Sequence, residues 1–135
     1  MIRVRRLDHF GVDVSDLERA ERFYTEVLGM VVDMRLPDQR LLRYGDGACA
    51  LFLKPDRVPG SLEQIHNPLG KSHHAFEVSW EDLDAALRLF AERGIPHHAP
   101  IDWGDHHCLY FLDPDGNLLE LVGYRRPAAG REPSS

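Results

Sequence analysis

The spacing of apolar residues predicts two successive copies of one β-α-β-β-β unit. Apolar positions alternate where we predict strands and recur every three or four residues where we predict a helix. The first copy comprises strands at 2–14, 30–36, 39–44 and 48–54, with a helix after the first of them. The second comprises strands at 73–78, 95–103, 106–113 and 118–124, again with a helix after the first. We therefore predict an α+β fold of two paired modules, about 5–54 and 71–124, that form a cupped mixed sheet.

Capping residues mark the ends of both predicted helices. Ser15 begins the first helix, with Glu18 three residues later as in a capping box, and Gly29 ends it. Ser79 and Gly94 occupy the same places in the second helix. The repeated start and stop signals support the duplication.

The segments outside the modules are rich in turn-forming residues. Residues 55–70 contain three prolines and two glycines, which indicates a long connector, and we expect this loop to border a functional pocket. Residues 127–135 form a Pro-, Gly- and Ser-containing tail that we expect to be disordered. Residues 1–126 are predicted to form a single domain.

Composition narrows the classes of partner. The 135 residues are 43% hydrophobic and carry a formal net charge of −6, which argues against a nucleic-acid or membrane partner. The apolar runs are far shorter than the ~20 residues of a membrane helix. Two cysteines without a metal or disulfide motif, and no signal-peptide pattern, lead us to expect a reduced, cytoplasmic protein.

The duplication places a histidine at the same point of both modules. The strand that contains His9 returns 64 residues later as the strand that contains His73, and each histidine shares a strand face with a small residue, Gly11 or Ala75. A single strand histidine is more often a core or surface residue than a ligand. Two at matched positions favour a metal site on a pseudo-two-fold axis, because neutral imidazole is a common metal ligand.

Glu120 is the third candidate ligand. It interrupts the apolar run 118–122, where a buried carboxylate is costly unless it is paired or bound to a metal. Alternation also allows the other possibility, a glutamate on the solvent face of an edge strand. Counting from the repeated Asp-Gly pair, the matching position in the first module is Leu51, so we expect three ligands rather than four. Two histidines and one carboxylate suit Fe(II), Mn(II) or Zn(II) and leave coordination positions open.

These motifs resemble the vicinal oxygen chelate superfamily, which includes glyoxalases, bleomycin-resistance proteins and extradiol dioxygenases. The resemblance covers about residues 5–124. It is carried by the segments 7–14, 23–29, 73–78 and 110–120. It is specific for the fold and much less so for the reaction, because this fold hosts several chemistries.

The resemblance implies roles for individual residues. It makes His9, His73 and Glu120 the ligands of one divalent metal, with Fe(II) favoured and Mn(II), Zn(II) or Ni(II) as alternatives. It places Tyr110 beside the metal, where a phenol can donate a hydrogen bond to an oxygen. A ring packed in the core is the other possibility for this tyrosine.

Proton transfer would need a further histidine. His66, His106 and His107 are candidates, and strand alternation favours His106 because it shares a face with Tyr110. His74 has the opposite parity to His73 and is expected to face away.

Three functions follow from the resemblance. The favoured one is extradiol-type ring cleavage of a small catechol-like substrate. The second is a redox-neutral lyase, isomerase or thiol transferase, and the third is a non-enzymatic protein that sequesters a ligand. We also expect a homodimer, in which His9 of one chain can complete a site with His73 and Glu120 of the other.

Overall fold

The computed structural model describes residues 1–125. These residues form two compact units, with the boundary between Pro59 and Gly60. The boundary falls inside the predicted connector. Each unit contains one four-stranded mixed sheet and one long helix.

The first unit has the predicted β-α-β-β-β order. Its elements are β1 (His9–Val14), α1 (Leu17–Glu26), β2 (Val31–Leu36), β3 (Gln39–Tyr44) and β4 (Gly47–Leu53). The strand order in the sheet is β1-β4-β3-β2. β1 and β4 run parallel, while the other neighbours are antiparallel.

The second unit repeats this order after a short helix. Its elements are α2 (Glu63–His66), β5 (His74–Val78), α3 (Trp80–Arg93), β6 (Ile101–Asp102), β7 (His106–Leu112) and β8 (Leu118–Tyr124). The sheet order is β5-β8-β7-β6, again with the first and last strands of the unit side by side and parallel. The predicted α+β fold of two β-α-β-β-β modules is therefore confirmed.

Each long helix covers one face of its own sheet. In the first unit, α1 packs against β4, and the buried residues of β1 alternate with exposed ones. Phe10, Val12 and Val14 are buried, whereas His9 and the other odd-numbered positions of β1 are exposed. The candidate ligand thus lies on the sheet face that the helix leaves uncovered.

Two strands are much shorter than predicted, each for its own reason. The predicted strand at 2–14 begins only at His9, which pairs with Ala48 near the start of β4. The predicted strand at 95–103 is reduced to Ile101–Asp102. Pro96 and Pro100 lack the N–H that a regular ladder requires, which explains this interruption.

The caps were predicted better for α3 than for α1. Ser79 accepts a hydrogen bond from the backbone N–H of Asp82, and Gly94 ends the helix at φ 65°, both as predicted. The N-cap of α1 is Asp16, not Ser15, because the Asp16 carboxylate accepts from the N–H of Arg19. A helix therefore starts one residue later than the capping-box pattern indicates.

The connector is partly ordered, since it contains α2. The predicted tail, 127–135, lies outside the described residues. Within residues 1–125, the structure has no helix with the length and apolar character needed to cross a membrane.

Candidate functional site

The strand register places Glu120 in the middle of the second sheet. It is paired with Ala75 of β5 on one side and with Tyr110 of β7 on the other. Residues directly opposite each other point to the same face, so these three share one face of the sheet. The Glu120 side chain is only 11% exposed, whereas the small Ala75 beside it is exposed. The carboxylate is therefore buried but has an open side along β5.

His73 directly precedes β5 and reaches the Glu120 carboxylate. Its Nε2 lies 2.9 Å from Glu120 Oε1, and its Nδ1 lies 2.6 Å from the carbonyl oxygen of Lys71. Both ring nitrogens thus face oxygen acceptors. A neutral imidazole has only one N–H, so one of these two contacts needs an additional proton or a bound cation.

Tyr110 closes the other side of this pair. Its ring meets the ring of His73 edge to face, with the centroids 5.2 Å apart. Burial raises the pKa of Tyr110 to about 12, and the charge and hydrogen bonding of Glu120 act in the same direction. The phenol therefore remains protonated at neutral pH and can serve as a hydrogen-bond donor.

Cys108 and Trp103 extend the cluster away from Glu120. The indole Nε1 of Trp103 donates to Cys108 Sγ at 3.2 Å. Burial raises the pKa of the Cys108 thiol to about 11, and hydrogen bonding with Glu120 contributes. The sequence alone predicts a small core residue at Cys108 and a packing or interface residue at Trp103. The available signal is that Cys108 shares strand parity with Tyr110, which puts both side chains on the face of Glu120.

The first unit carries His9 on its uncovered sheet face. The His9 Nδ1 lies 2.9 Å from Asp8 Oδ2, and this hydrogen bond lowers the pKa of the Asp8 carboxyl. In both histidines of the repeat, Nδ1 is therefore engaged by a neighbouring oxygen. This arrangement leaves Nε2 of His9 as the nitrogen for an outside ligand.

A cavity of about 400 Å³ lies beside His9 within the first unit. Sites for small molecules commonly begin near this size. Its lining combines small and apolar residues with charged ones, among them Arg6, Asp8, Leu41, Arg43, Ala50 and Phe52. The small size of Gly11 does not enlarge this cavity, because the Phe52 ring already fills the space beside it. A Cβ on Gly11 would lie 2.7 Å from that ring.

The register corrects the predicted equivalence between Leu51 and Glu120. Gly11 is paired with Ala50 in the same way that Ala75 is paired with Glu120. Ala50 is therefore the counterpart of Glu120, whereas Leu51 is fully buried one position further on. The expectation that the first module lacks a matching carboxylate still holds, since alanine occupies the position.

The displacement comes from the turns that precede these strands. Tyr44 is paired with Gly47 across a two-residue turn, whereas Leu112 is paired with Leu118 across a five-residue turn. The carboxylate of Asp113 organises the longer turn by accepting hydrogen bonds from the backbone and side chain of Asn117 and from the backbone of Asp115. Counting from the repeated Asp-Gly pair ignores this difference in turn geometry.

Among the candidate proton carriers, His106 lies away from the His73–Glu120 pair. His106 is on the same face as Tyr110 but four residues away, roughly 13 Å along the strand. Its Nδ1 lies 2.6 Å from Asp105 Oδ1, and its ring packs 5.1 Å from that of Tyr124. His66 is exposed at the end of α2.

The connector nevertheless reaches the sheet face that bears Tyr110. Ile65, the neighbour of His66, is buried in one apolar cluster with Tyr110, Leu112 and Leu118. Backbone contacts hold this segment, because Gly60 N–H donates to the carbonyl oxygen of Asp115 at 2.8 Å. The connector therefore borders the face that carries Glu120.

The remaining two histidines of these strands have other surroundings. His74 is paired with Leu119, so it has the opposite parity to Glu120, and burial lowers its pKa. His107 packs 4.5 Å from the Trp80 ring, with Nε2 3.2 Å from Asp102 Oδ1. Both are less suited to the site than His106.

Within each unit, the described residues contain no group of three or more His, Cys, Asp or Glu side chains placed to hold a metal ion. The second unit brings His73 and Glu120 together and the first unit presents His9. The predicted set of three ligands thus draws on both units.

Comparison with known proteins identifies the family. The Glyoxalase/Bleomycin resistance protein/Dioxygenase superfamily matches residues 6–121. The chain belongs to this superfamily. The chain is 28% identical to the glutathione transferase FosA of Serratia marcescens, over 87% of this chain and 80% of that protein.

Other superfamily members differ in length and reaction. Biphenyl-2,3-diol 1,2-dioxygenase 3 of Rhodococcus globerulus is 32% identical over 86% of this chain, but the match spans only 62% of that enzyme. Among solved structures, the fosfomycin resistance protein FosX of Listeria monocytogenes has a TM-score of 0.74 at 17% identity, covering 90% of this chain and 94% of that one. This last likeness concerns the fold alone. The relatives include dioxygenases, lyases and transferases, which supports an enzyme but not one reaction.

Proposed function

We propose that the chain binds one divalent metal through His9, His73 and Glu120, and that it is an enzyme acting on a small molecule with two adjacent oxygens. The observation that carries this proposal is the His73–Glu120 contact, in which both imidazole nitrogens face oxygen atoms. A cation between Nε2 and the carboxylate would satisfy both groups. The donor set of two imidazoles and one carboxylate suits Fe(II), Mn(II), Zn(II) or Ni(II), of which we favour Fe(II).

The metal would hold both substrate oxygens and, as Fe(II), would also activate O2. The protein supplies the rest of the chemistry. Tyr110 remains protonated and lies beside His73, so its hydroxyl can donate a hydrogen bond to an oxygen of the substrate. Ala75 leaves the approach to Glu120 open along β5.

Extradiol-type ring cleavage of a catechol-like substrate is the reaction we favour. Three protein ligands leave about three of six octahedral positions open, which suits a bidentate diolate together with O2. The structure supports three ligands rather than four, because Ala50 stands where the first unit would supply a second carboxylate. The 32% identity to a biphenyl-2,3-diol dioxygenase supports the same choice.

A redox-neutral reaction is the second candidate. The 28% identity to the glutathione transferase FosA, over 87% of this chain, supports this candidate. In such a reaction the same three ligands would hold a Lewis-acidic metal. His66 and His106 are proposed as proton carriers in either case.

We also propose a homodimer, with His9 from one chain and His73 and Glu120 from the other completing a site. The edge strand β2 exposes Val31, Met34 and Leu36, and an exposed apolar edge favours association with another chain. Sedimentation equilibrium at micromolar concentration tests this proposal. A monomer that still binds metal would contradict it.

Anaerobic metal loading followed by oxygen-uptake measurements tests the proposed function. The Fe(II)-loaded protein should consume O2 with at least one member of a catechol panel, and His73→Ala should lose both metal and uptake. Bound metal without uptake, together with turnover of a thiol adduct or an epimerisable acid, would favour the redox-neutral candidate. A wild-type protein that binds none of the four metals would reject both.

A further inference from the structure

A buried thiol lies between an indole and the candidate carboxylate ligand. Cys108 is 1% exposed, and its sulfur accepts a hydrogen bond from Trp103 Nε1 at 3.2 Å. On the other side, Cys108 is paired with Val122 while Glu120 is paired with Tyr110. Cys108 and Glu120 are therefore diagonal neighbours on one face of the β7–β8 ladder, within reach of each other's side chains.

The number of hydrogens determines the direction of these hydrogen bonds. A thiol has one S–H and weakly accepting lone pairs. Because the indole N–H donates to the sulfur, the S–H is left to donate elsewhere. The strand register places the Glu120 carboxylate diagonally opposite as an acceptor. Burial raises the pKa of this thiol, with a smaller contribution from Glu120.

Two different groups therefore lie beside the Glu120 carboxylate. His73 Nε2 meets one oxygen at 2.9 Å, and Cys108 lies diagonally across the ladder on the same sheet face. Donors that contact a ligand without touching the metal commonly fix its orientation and contribute to metal affinity.

We propose that Cys108 is a positioning residue for Glu120, and that Trp103 orients the thiol for this purpose. This inference rests on the metal site proposed above. In this role, Trp103 and Cys108 orient a metal ligand in addition to packing against their neighbours. Trp103 is half exposed, so the chain of contacts runs from the surface of the unit to the buried ligand.

Metal affinity measured by competition with a chromophoric chelator tests the inference, with Zn(II) as the probe. We expect Cys108→Ala to weaken Zn(II) binding about tenfold or more, the usual effect of losing a group that orients a ligand. Cys108→Ser keeps a donor and an acceptor, so it should recover most of the affinity. Trp103→Phe keeps a ring but loses the N–H, so it should weaken binding less than Cys108→Ala.

Cys49→Ala is the matched control, because the Cys49 thiol in the first unit is buried to the same extent as that of Cys108. It should leave Zn(II) affinity unchanged. The d–d absorption spectrum of the Co(II)-loaded protein gives a second readout. It should change in Cys108→Ala and return towards the wild-type spectrum in Cys108→Ser, which a loss of packing alone would not produce.

The outcomes separate this inference from the proposed function. A wild-type protein that binds neither Zn(II) nor Co(II) would reject the metal site itself. Wild-type binding with equal affinity and equal spectra in the Cys108→Ala, Cys108→Ser and Trp103→Phe variants would reject the positioning role and leave the metal site standing. An equal loss in Cys49→Ala and Cys108→Ala would also overturn it.

Discussion

The Nε2 atom of His73 lies 2.9 Å from Oε1 of Glu120, although 47 residues separate the two in sequence. The parallel pairing of β5 with β8 produces this contact, because it sets Ala75, two residues after His73, directly beside Glu120. The contact is therefore a consequence of the sheet and not of a flexible loop.

Replacing Glu120 by glutamine should weaken metal binding while preserving the shape of the side chain. An amide lacks the negative charge that strengthens the binding of a divalent cation, so we expect at least a tenfold loss of Zn(II) affinity. Glu77→Gln changes an exposed carboxylate of the neighbouring strand and should have little effect. Equal affinities for Glu120→Gln and wild type in a chelator competition would exclude Glu120 as a ligand.

Asp8 should support His9 without being a ligand itself. Its carboxylate engages Nδ1 of His9, which keeps Nε2 free for the metal. We expect Asp8→Asn to lower metal affinity by several-fold, less than His9→Ala, which removes the imidazole. Asp13→Asn is a suitable control on the same strand. The prediction is contradicted if calorimetric titration gives Asp8→Asn and His9→Ala the same affinity.

Tyr110→Phe should separate turnover from metal binding. The phenol donates a hydrogen bond but contributes no charge, so we expect kcat to fall about a hundredfold while metal affinity changes less than threefold. Oxygen uptake by the Fe(II)-loaded protein with a catechol provides the rate. Tyr124→Phe removes a hydroxyl on the same sheet face near His106 and should retain most of the activity. Comparable rates in both variants would count against a role for Tyr110.

Glu21 should make the stability of the first unit depend on pH. Arg35 donates two hydrogen bonds to its carboxylate, at 2.9 and 3.1 Å, and Arg40 donates a third at 3.1 Å. These contacts, chiefly that with Arg35, lower the pKa of Glu21 below its usual 4.5. Folding thus lowers this pKa, so the stabilisation is present above about pH 4.5 and is lost as the pH falls through the folded-state pKa.

Glu21→Gln should therefore reduce the free energy of unfolding by about 1–2 kcal/mol at pH 7 and by much less near pH 3. Urea denaturation at both pH values measures the difference. Glu18→Gln, at an exposed position of α1, should change it far less at either pH. A Glu21→Gln effect of the same size at pH 7 and pH 3 would show that the ion pairs do not cause it.

Asp113→Ala should destabilise the hairpin that carries Glu120. It removes three hydrogen bonds that a buried carboxylate accepts within the turn. We expect a loss of about 2–4 kcal/mol in the free energy of unfolding, because the backbone donors are left without their acceptor. Asp113→Asn retains one acceptor oxygen and should lose less. Equal urea midpoints for wild type and Asp113→Ala would contradict this account of the turn.

The sequence was sufficient for the modules, because their signals are local. Ser79 and Gly94 bound α3 as predicted, and the strand at Leu118–Tyr124 has the predicted limits. The predicted start of the first strand at residue 2 is wrong for a non-local reason, because its pairing with β4 begins only at His9. Alternating apolar residues indicate that a segment favours the strand conformation. They do not indicate how long the neighbouring strand is.

The site was partly predictable for the same reason. His73 and Glu120 emerged from the repeat and from a carboxylate in an apolar run, and they do meet. The position of Cys108 beside Glu120 could not be predicted from the sequence, because it depends on the β7–β8 register. The turn between these two strands sets that register. The error at Leu51 arose likewise from a turn whose length the Asp-Gly pair does not reveal.

The pairing of Gly11 with Ala50 has a consequence for how such proteins diversify. At this equivalent position the first half has the methyl group of Ala50, and the second has the carboxylate of Glu120. If both halves serve one metal, a change at this codon alone alters the number of protein ligands from three to four. A reaction that needs an open coordination position for a second reactant would then depend on Ala50, a residue with no charge and no hydrogen-bonding side chain.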